Sequence, residues 1–417
     1  MTTESCNSRS FSRLMKSCFP DTTQSEHHLI HISKKLPTQN HLNIQTSFFS
    51  LPDDLLLECL SRVPHSSLSS ISLVCRKWSH LIDTQVFYNL RRSHGLVCTK
   101  ILAISLSGLN FYVASYRIGH DSVWSVTSIR NLETILPEIL DGSVSHSRLV
   151  AVERYIFILS RNITLRYDTW TGGFILRSPM LFPRKKFAAA YIAGKIYVSG
   201  GAASTGTVEE YDLDTDTWRV VGESSRRRYG CIGVSVDGIF YIIGGLKINN
   251  RNEMLSREGN GEARGYACTM DLYDVDTRVW LRSRKVPGGG CVVAGCGVGG
   301  QVFVLTSHAV ELSFWKFDGR RKSGGFGEWC RMKSPPLPAQ VRLDNRVRFC
   351  CVGVGEEKVV LVQVLGCIDD LLRRSGRNCR GMKEGLVLVY DCEIGEWSRE
   401  LDLPQVIRRA DCVSVDC

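Results

Sequence analysis

Residues 196–218 read IYVSGGAASTGTVEEYDLDTDTW, and this stretch decides the fold. It holds two phrases: an apolar run that ends in a glycine pair, then a Tyr-Asp pair with a Trp seven residues after the Tyr. Glycines at the end of a strand allow a sharp turn, and an Asp accepts hydrogen bonds from turn amides. The Trp offers a large face to a neighbouring sheet. The stretch therefore predicts the second, third and fourth strands of a four-stranded antiparallel sheet.

The same phrases recur along the chain. The glycine pair also follows the apolar run at 240–243, whereas the runs at 155–159, 302–305 and 359–362 keep the strand without the pair. The Tyr-Asp phrase occurs, in clear or weakened form, as Tyr116/Trp124, Tyr167/Phe174, Tyr211/Trp218, Tyr273/Trp280, Phe317/Trp329 and Tyr390/Trp397. One such sheet cannot bury both of its faces, so six copies are expected to stack radially into a mainly β, six-bladed propeller.

The end of the chain repeats the beginning of a blade. Residues 409–417 match the opening strand of the blade at 228–237, whereas the first blade, from about residue 99, lacks such a strand. We therefore predict that a strand at 409–416 completes blade one. A propeller spanning 98–417 and closed in this way removes the open edges that a linear stack of sheets would expose.

This repeat of about 50 residues resembles the kelch repeat, most clearly at residues 184–285. The resemblance implies a kelch-type propeller that binds a protein through loops before the first strand of a blade and between its second and third strands. The candidate substrate-binding residues carried over in this way are Arg161, Arg184, Arg228, Lys247, His308 and Arg409. A ring of such cations favours an acidic or phosphorylated segment, although arginines before strands also serve simply to keep loops soluble. Residues 288–290, all glycine, replace the basic residue in blade five, so any ring is incomplete.

Residues 48–92 show helical instead of strand-like spacing. Pro52 suits the first turn of a helix, and the two aspartates that follow it favour a helix N-terminus. Pro64 ends this helix, and Ser66 or Ser67 caps the next. The apolar residues at three- and four-residue spacing are Leu51, Leu55, Leu56, Cys59, Leu60, Val63, Leu68, Ile71, Val74, Cys75, Trp78, Leu81, Ile82 and Phe87. A three-helix unit of this size makes a poor independent core, so we expect it to present apolar surface to a partner.

The segments LPDDLLLECL at 51–60 and LVCRKWSHLI at 73–82 resemble the F-box. The resemblance implies docking to the Skp-type adaptor of a cullin ligase, and through it to cullin and RING subunits. The candidate adaptor-binding residues are Leu51, Pro52, Leu55, Leu60, Val74, Cys75 and Trp78. Some of these side chains could instead only hold the helices together. We expect Leu51 and Pro52 to make contact, and Leu56 and Leu73 to belong to the core.

The two resemblances together imply a substrate-recognition subunit of an SCF-type (Skp–cullin–F-box) E3 ubiquitin ligase, a non-catalytic adaptor that holds a protein for ubiquitination and degradation. A kelch interaction scaffold without a ligase role is an alternative, and the intact LP and VCRKW segments favour the ligase. A kelch-propeller metal oxidase is disfavoured, because His120, His146 and His308 are far apart and no nucleophile motif or phosphate loop occurs. We expect no cofactor, no bound metal and no catalytic residue.

The amino-acid composition indicates which classes of partner and which compartment to expect. The net charge of +10 comes from scattered basic residues, which disfavours nucleic acid and suits an acidic partner. No run of about 18 apolar residues occurs, so no membrane span is expected. The 17 cysteines include no Cys-x-x-Cys pair, and several have apolar neighbours. This pattern is typical of reduced, buried thiols in an intracellular protein of the cytoplasm or nucleus.

Residues 1–47 are rich in Ser, Thr, Gln, Asn and His without periodicity, which predicts a disordered tail. The basic, hydroxylated start would also suit a transit peptide, although acidic residues at positions 4, 21 and 26 argue against one. The insertions at 247–265 and 366–385 are rich in Gly, Arg and Asn, which favours disorder over a functional loop.

Overall fold

The computed structural model describes residues 51–107, 110–129, 147–161, 163–202, 204–224, 226–247, 265–308, 311–320, 327–338, 347–374, 384–407 and 409–417. The chain divides into two units, Met1–Val97 and Cys98–Cys417, and each is treated by itself. The predicted disordered tail, the insertion residues 248–264 and residues 375–383 of the later insertion lie outside the described residues.

The first unit is helical. Its helices are α1 (Asp53–Ser61), a short 3-10 helix (His65–Ser67), α2 (Leu68–Ser72), α3 (Arg76–Ile82) and α4 (Gln85–Ser93). The second predicted helical segment is divided, because α2 ends at Ser72 with Leu73 as its C-cap, and the extended backbone of Cys75, with φ of −160°, precedes α3. This break decides which residues of the segment face solvent.

Apolar side chains at helical spacing form the core of this unit. The buried ones are Leu56, Leu60, Leu68, Ile71, Trp78, Leu81, Ile82, Phe87 and Tyr88. Arg91 of α4 is buried with them, and its Nη1 donates to the carbonyls of Ser61 at 3.0 Å and Val63 at 2.7 Å. These bonds satisfy acceptors at the end of α1. Burial disfavours the charged form and lowers the pKa of Arg91. The two carbonyl acceptors take the place of the water that the guanidinium loses on burial.

The second unit is built from strands, with one short helix, α5 (Ile368–Arg374). The strands are β1 (Thr99–Ser107), β2 (Asn110–Tyr116), β3 (Ser125–Ile129), β4 (Arg148–Val152), β5 (Tyr155–Leu159), β6 (Thr164–Asp168), β7 (Phe174–Arg177), β8 (Ala188–Ile192), β9 (Lys195–Ser199), β10 (Thr207–Asp212), β11 (Thr217–Glu223), β12 (Arg228–Tyr229), β13 (Ile232–Val236), β14 (Ile239–Ile243), β15 (Leu246–Lys247), β16 (Thr269–Asp274), β17 (Val279–Trp280), β18 (Arg284–Lys285), β19 (Cys291–Val298), β20 (Gln301–His308), β21 (Glu311–Asp318), β22 (Trp329–Met332), β23 (Arg348–Val354), β24 (Lys358–Leu365), β25 (Val387–Asp391), β26 (Glu396–Arg399) and β27 (Asp411–Asp416).

These strands form six antiparallel blades. From the inner edge outward, the blades are β27-β1-β2-β3, β4-β5-β6-β7, β8-β9-β10-β11, β13-β14-β16-β17, β19-β20-β21-β22 and β23-β24-β25-β26. A small ladder of β12 with β15 lies beside blade four, where β18 also pairs with β16.

The inner strands close a ring. Contacts run from β27 to β4, β8, β13, β19 and β23, and from β23 back to β27. The predicted six-bladed propeller is therefore confirmed. The strand β27 pairs antiparallel with β1, from Thr99 opposite Asp416 to Ile104 opposite Asp411.

The repeated aromatic phrase marks every blade. In each copy, including the weakened ones, the two rings lie against each other, with centroids 4.8 to 5.1 Å apart. Four of the indoles also donate across a seam to the preceding blade; the Trp218 Nε1 to Ser178 carbonyl bond, at 2.8 Å, is representative. The ring pair fills the space between adjacent sheets, which is why it survives where other parts of the repeat have diverged.

The turn residues act as predicted. The carboxylate of Asp212 accepts from the amides of Asp214 and Thr215, each at 3.1 Å, in the turn between the third and fourth strands. The glycine pair after β9 adopts φ of +77° at Gly200 and +73° at Gly201, conformations that L side chains rarely take.

One insertion differs from its prediction. Within the range 366–385, residues Ile368–Arg374 form α5, so the predicted disorder is wrong for this segment. Ile368 and Leu372 are buried in the apolar cluster between blades five and six, together with Leu386. Ile368 and Leu372 therefore anchor the start of the insertion, and Leu386 directly follows its end.

Candidate functional site

The start of α1 presents apolar residues at the surface of the first unit. The Pro52 carbonyl accepts from the Leu56 amide at 3.1 Å, which places the proline at the helix entry. Leu51 is half-buried, Pro52 is exposed, and Leu55 is 49% exposed. These three predicted adaptor-binding residues are therefore accessible to a partner within this unit.

The other four predicted adaptor-binding residues are less exposed. Leu60 and Trp78 are buried in the helical core, so they support the surface instead of forming it. Val74 and Cys75 are half-buried at the break between α2 and α3. The set thus divides into exposed, half-buried and core members.

Leu73 corrects one expectation. Leu56 is fully buried, as expected of a core residue, but Leu73 is 84% exposed. The predicted core role of Leu73 is wrong, because the helix ends at this residue and the break before α3 leaves its side chain in solvent. An exposed leucine of this kind adds to the apolar surface of a unit that is small for an independent domain.

In the propeller, the predicted substrate-binding residue Arg184 is buried. It precedes β8 and is only 1% exposed. Its Nε and Nη2 donate to Glu209 Oε1 at 2.8 and 2.6 Å, and its Nη1 donates to the Gly200 carbonyl at 2.8 Å. Nη2 also reaches the Thr207 carbonyl at 2.9 Å. Arg184 therefore ties the loop before the first strand of blade three to its glycine turn and to its third strand.

Arg228 repeats this arrangement in blade four and is also 1% exposed. Its Nε donates to Asp271 Oδ2 at 2.8 Å, and its Nη1 donates to the Gly244 carbonyl at 2.7 Å. Arg226 Nη1 and Ser283 Oγ both donate to Asp271 Oδ1 at 2.7 Å. Burial alone would raise the pKa of Asp271, but the hydrogen bond and charge of Arg228, with Ser283 and Arg226, lower it. The carboxylate is therefore held ionised.

The burial of these two arginines changes how the predicted ring of cations is interpreted. Both guanidinium groups are engaged by acceptors of the same chain, so a substrate contact would first have to break a buried ion pair, at high cost. We interpret Arg184 and Arg228 as structural residues that hold the loops at the blade ends. Sequence spacing located the positions but could not separate a buried arginine from an exposed one.

Blade five lacks both the arginine and the carboxylate of this buried ion pair. Trp315 pairs with Val304, the fourth residue of the second strand, just as Glu209 pairs with Val198 in blade three. Trp315 thus occupies the place of the carboxylate, and the glycines at 288–290 occupy the place of the arginine. Both charges are absent together, so neither is left buried without its partner.

Three predicted substrate-binding residues are exposed in loops or at a strand end. Arg161 follows β5, His308 ends β20, and Arg409 precedes β27. Lys247 is half-buried in the β12–β15 ladder, where its backbone pairs with Arg228. The start of a blade's first strand and the end of its second lie at the same end of an antiparallel blade. The four positions therefore share one end of the propeller.

The cation–ring contacts at this end were not identified from the sequence. Lys186 Nζ lies 5.5 Å from the centre of the Tyr229 ring. Arg226 Cζ and the buried Arg228 Cζ lie 5.6 and 4.9 Å from the centre of the Tyr266 ring. A signal was present, because Tyr229 directly follows the blade-opening Arg228 and Lys186 comes two residues after Arg184. These pairs give blades three and four a basic and aromatic loop surface.

Arg148, at the start of β4, links several inner strands. Its Nε donates to the Phe187 carbonyl at 2.7 Å and its Nη2 to the Cys231 carbonyl at 3.2 Å. Asp411 of β27 lies 4.0 Å from Arg148 Nη1 and 3.7 Å from Arg348 Nη2. Burial opposes the charge on Arg348, but the Asp411 carboxylate prevails and raises its pKa. This polar cluster connects the centre of the ring to the closing strand.

Within the described ranges, no group of three or more His, Cys, Asp or Glu side chains is placed to hold a metal ion. His120 lies in the turn after β2 and His308 ends β20, whereas His146 lies outside the described residues. No helix in the described part of the chain is long and apolar enough to cross a bilayer.

Comparisons with known proteins agree with both units. The F-box domain family matches residues 48–90, and the Kelch motif family matches residues 183–225, which span blade three with its buried ion pair. F-box/kelch-repeat protein At5g26960 of Arabidopsis thaliana is 53% identical over 419 residues, covering 99% of each chain. F-box/kelch-repeat protein At1g67480 of the same plant is 25% identical over 47% of this chain and 54% of its own length.

Proposed function

Because this chain belongs to the F-box/kelch-repeat protein family, we propose that it is the substrate-recognition subunit of an SCF-type E3 ubiquitin ligase. Proteins that join these two elements are in general non-catalytic substrate adaptors of such complexes, and F-box domains generally bind Skp-type adaptors. We further propose that the chain acts in the cytoplasm or nucleus and is joined through a Skp-type adaptor to cullin and RING subunits.

The observation that carries the proposal is the apolar surface of the helical unit. Leu51, Pro52 and Leu55 stand at the entry of α1, and Leu73 is exposed at the end of α2. Exposed apolar side chains on so small a unit are favourable only when a partner covers them. We propose Leu51, Pro52 and Leu55 as direct adaptor contacts, with Val74 and Cys75 at the edge and the buried members supporting them.

We propose that the substrate binds at the loop end of the propeller. Arg161, His308 and Arg409 are exposed there, and Lys247 lies half-buried beside blade four. The Lys186–Tyr229 pair adds apolar and cationic surface. With a net charge of +10 on the chain, this end suits an acidic or phosphorylated protein segment.

The mechanism is positional rather than chemical. One unit binds the ligase core and the other binds the target, so ubiquitin transfer becomes a reaction between groups already held in the same assembly. The effective concentration of the target beside the conjugating enzyme then replaces its concentration in solution. Affinity at the propeller decides which proteins are modified.

A pull-down of the purified full chain with a Skp-type adaptor tests the docking surface. The variant Leu51→Ala/Pro52→Ala should lose most adaptor binding, whereas Ile394→Ala, which removes a 73% exposed apolar side chain from the propeller, should bind like wild type. Thermal unfolding of each variant shows whether the chain remains folded. Absence of binding by a well-folded wild type would remove the ligase proposal and leave an interaction scaffold.

Charge reversal tests the substrate end. An oligoglutamate peptide serves as the probe, and its binding is measured by fluorescence anisotropy at two salt concentrations. Arg161→Glu should weaken binding several-fold, whereas Arg278→Glu, at an exposed position in the turn between β16 and β17, makes the same change of charge at the opposite end of the blade. Equal weakening by both variants would show a response to net charge alone and would contradict a localised site.

A further inference from the structure

The inner strand of blade six carries adjacent cysteines that face opposite neighbours. Cys351 packs into the apolar cluster between blades five and six, where it meets Cys296 of β19. Cys350 packs into the cluster between blades six and one, near Cys412 of β27. Alternation along a strand places successive side chains on opposite faces, so one strand supplies a thiol to each seam.

The two sulfurs at the seam of blades five and six are in direct contact. The Sγ atoms of Cys296 and Cys351 are 3.3 Å apart. The strands approach closely here because both carry glycine beside the pair: a Cβ at Gly353 would collide with the Gly297 carbonyl oxygen. A disulfide bond is about 2.0 Å long, so a small movement of two side chains would bring the sulfurs within bonding distance.

The pair at the other seam differs in its surroundings. Cys350 Sγ donates to Asp411 Oδ1 at 3.1 Å, so this thiol already has a carboxylate acceptor. Asp411 in turn faces Arg148 and Arg348 in the polar cluster of the ring centre. Cys350 and Cys412 thus form a natural comparison for the Cys296–Cys351 pair, because both pairs use a cysteine of β23 and each spans one seam.

We propose that Cys296 and Cys351 form an oxidation-sensitive dithiol that becomes a disulfide across the seam of blades five and six when the protein meets hydrogen peroxide. This goes beyond substrate adaptation and requires nothing from the helical unit. The half-buried Cys351 reacts first: after its proton is released, the sulfur attacks the peroxide as the thiolate, the O–O bond breaks, and a sulfenic acid and hydroxide form, the hydroxide taking up the proton as water. The Cys296 sulfur then attacks the Cys351 sulfur, the S–O bond breaks, and the hydroxyl leaves as water with the Cys296 proton.

The resting state is the dithiol. The hydrogen bond with Cys351, together with burial, raises the pKa of Cys296, which keeps its proton in place until the partner sulfur has been oxidised. Two thiols supply the two electrons that reduce one peroxide, so no further reductant is needed. The bond closes a loop of about 55 residues between adjacent blades, which should raise the apparent Tm of the propeller by about 5 °C.

Peptide mapping of the full-length wild-type chain tests the proposal directly. The chain is treated with hydrogen peroxide, free thiols are alkylated, and the protein is digested with trypsin, which cleaves after Lys285 and Lys316 and after Arg348 and Lys358. The linked product should join peptides 286–316 and 349–358 and disappear on reduction. Each peptide holds two cysteines, so the Cys291→Ser and Cys350→Ser backgrounds assign the bond to Cys296 and Cys351.

Each outcome decides for or against the proposal. A reducible link between Cys296 and Cys351 that survives in both backgrounds and is lost in Cys351→Ser supports it, as does the rise in Tm. The exposed Cys330 reports that the oxidant has acted. Recovery of Cys296 and Cys351 as free thiols at a dose that fully oxidises Cys330, or an earlier link between Cys350 and Cys412, would overturn it.

Discussion

Replacing Arg184 with Met tests whether buried ion pairs hold the propeller blades together. Met keeps much of the apolar length of the arginine side chain but removes the guanidinium, so the buried Glu209 loses its cation. Among the described residues, no second Lys or Arg reaches Glu209. Breaking a buried pair by removing one partner costs about 3–5 kcal/mol. We expect Arg184→Met to lower the free energy of unfolding by about 4 kcal/mol.

The equivalent change in blade four should cost less. In Arg228→Met, Asp271 still accepts from Arg226 and Ser283, each at 2.7 Å, so the carboxylate keeps a cation. The loss is then close to that of one charged hydrogen bond, and we expect about 2 kcal/mol. A double variant, Arg184→Met/Glu209→Met, removes both charges as blade five does, and should recover about half of the loss caused by Arg184→Met alone.

Urea unfolding of the full chain, followed by tryptophan emission, measures these differences. Of the 8 tryptophans only Trp78 lies outside the propeller unit, so the signal reports mainly on the blades. An unchanged m-value would show that each variant exposes the same surface on unfolding. If Arg228→Met destabilised the chain as much as Arg184→Met, or if the double variant recovered nothing, the uncompensated charge would not be the cause.

Three further predictions concern turns, seams and pH. Gly200→Ala and Gly230→Ala both place a side chain at φ near +77°, but only at Gly200 would the new Cβ lie 2.8 Å from a backbone oxygen. The Tm should therefore fall further for Gly200→Ala than for Gly230→Ala. Equal falls in Tm would contradict the packing argument. Trp218→Phe removes the 2.8 Å bond to the Ser178 carbonyl and should cost about 1 kcal/mol in urea unfolding, so an unchanged midpoint would argue against the seam bond. Since the folded-state pKa of Asp271 is lowered, the stability contributed by its carboxylate is complete above about pH 4 and is lost as the pH falls through the folded-state pKa. Wild type should therefore lose more stability on acidification than Asp271→Asn. Parallel plots of unfolding free energy against pH for the two proteins would refute this.

The number of blades could be predicted from the sequence because one local feature carries it. The aromatic pair has fixed spacing in most copies and fills the same space between sheets, so it remains recognisable even where the glycine pair is lost, as in the Tyr390–Trp397 copy. The Asp in the turn is equally local, since its acceptor bonds reach only two or three residues ahead. Features decided within a few residues can be predicted from spacing alone.

The remaining features depend on contacts between distant segments. Arg228 and Asp271 are 43 positions apart, and nothing near either residue indicates that the arginine is buried. Cys296 and Cys351 meet only because two glycine-bearing strands approach. Leu73 shows the converse case, in which a residue of the F-box-like segment was expected in the core but a break in the helix exposed its side chain. The adaptor and substrate contacts themselves stay predictions.

The pairing of β27 with β1 also has a consequence for protein synthesis. The ribosome makes β1 early, but the strand that covers its inner edge emerges about 300 residues later. At about 5–20 residues per second, that edge stays open for about 15–60 s on every nascent chain. An uncovered strand edge is a template for pairing with other chains, so this interval is when the polypeptide is most exposed to misassembly. Translation speed and chaperone access in this window should therefore influence how much protein is recovered, with little effect on the stability of molecules that have already closed.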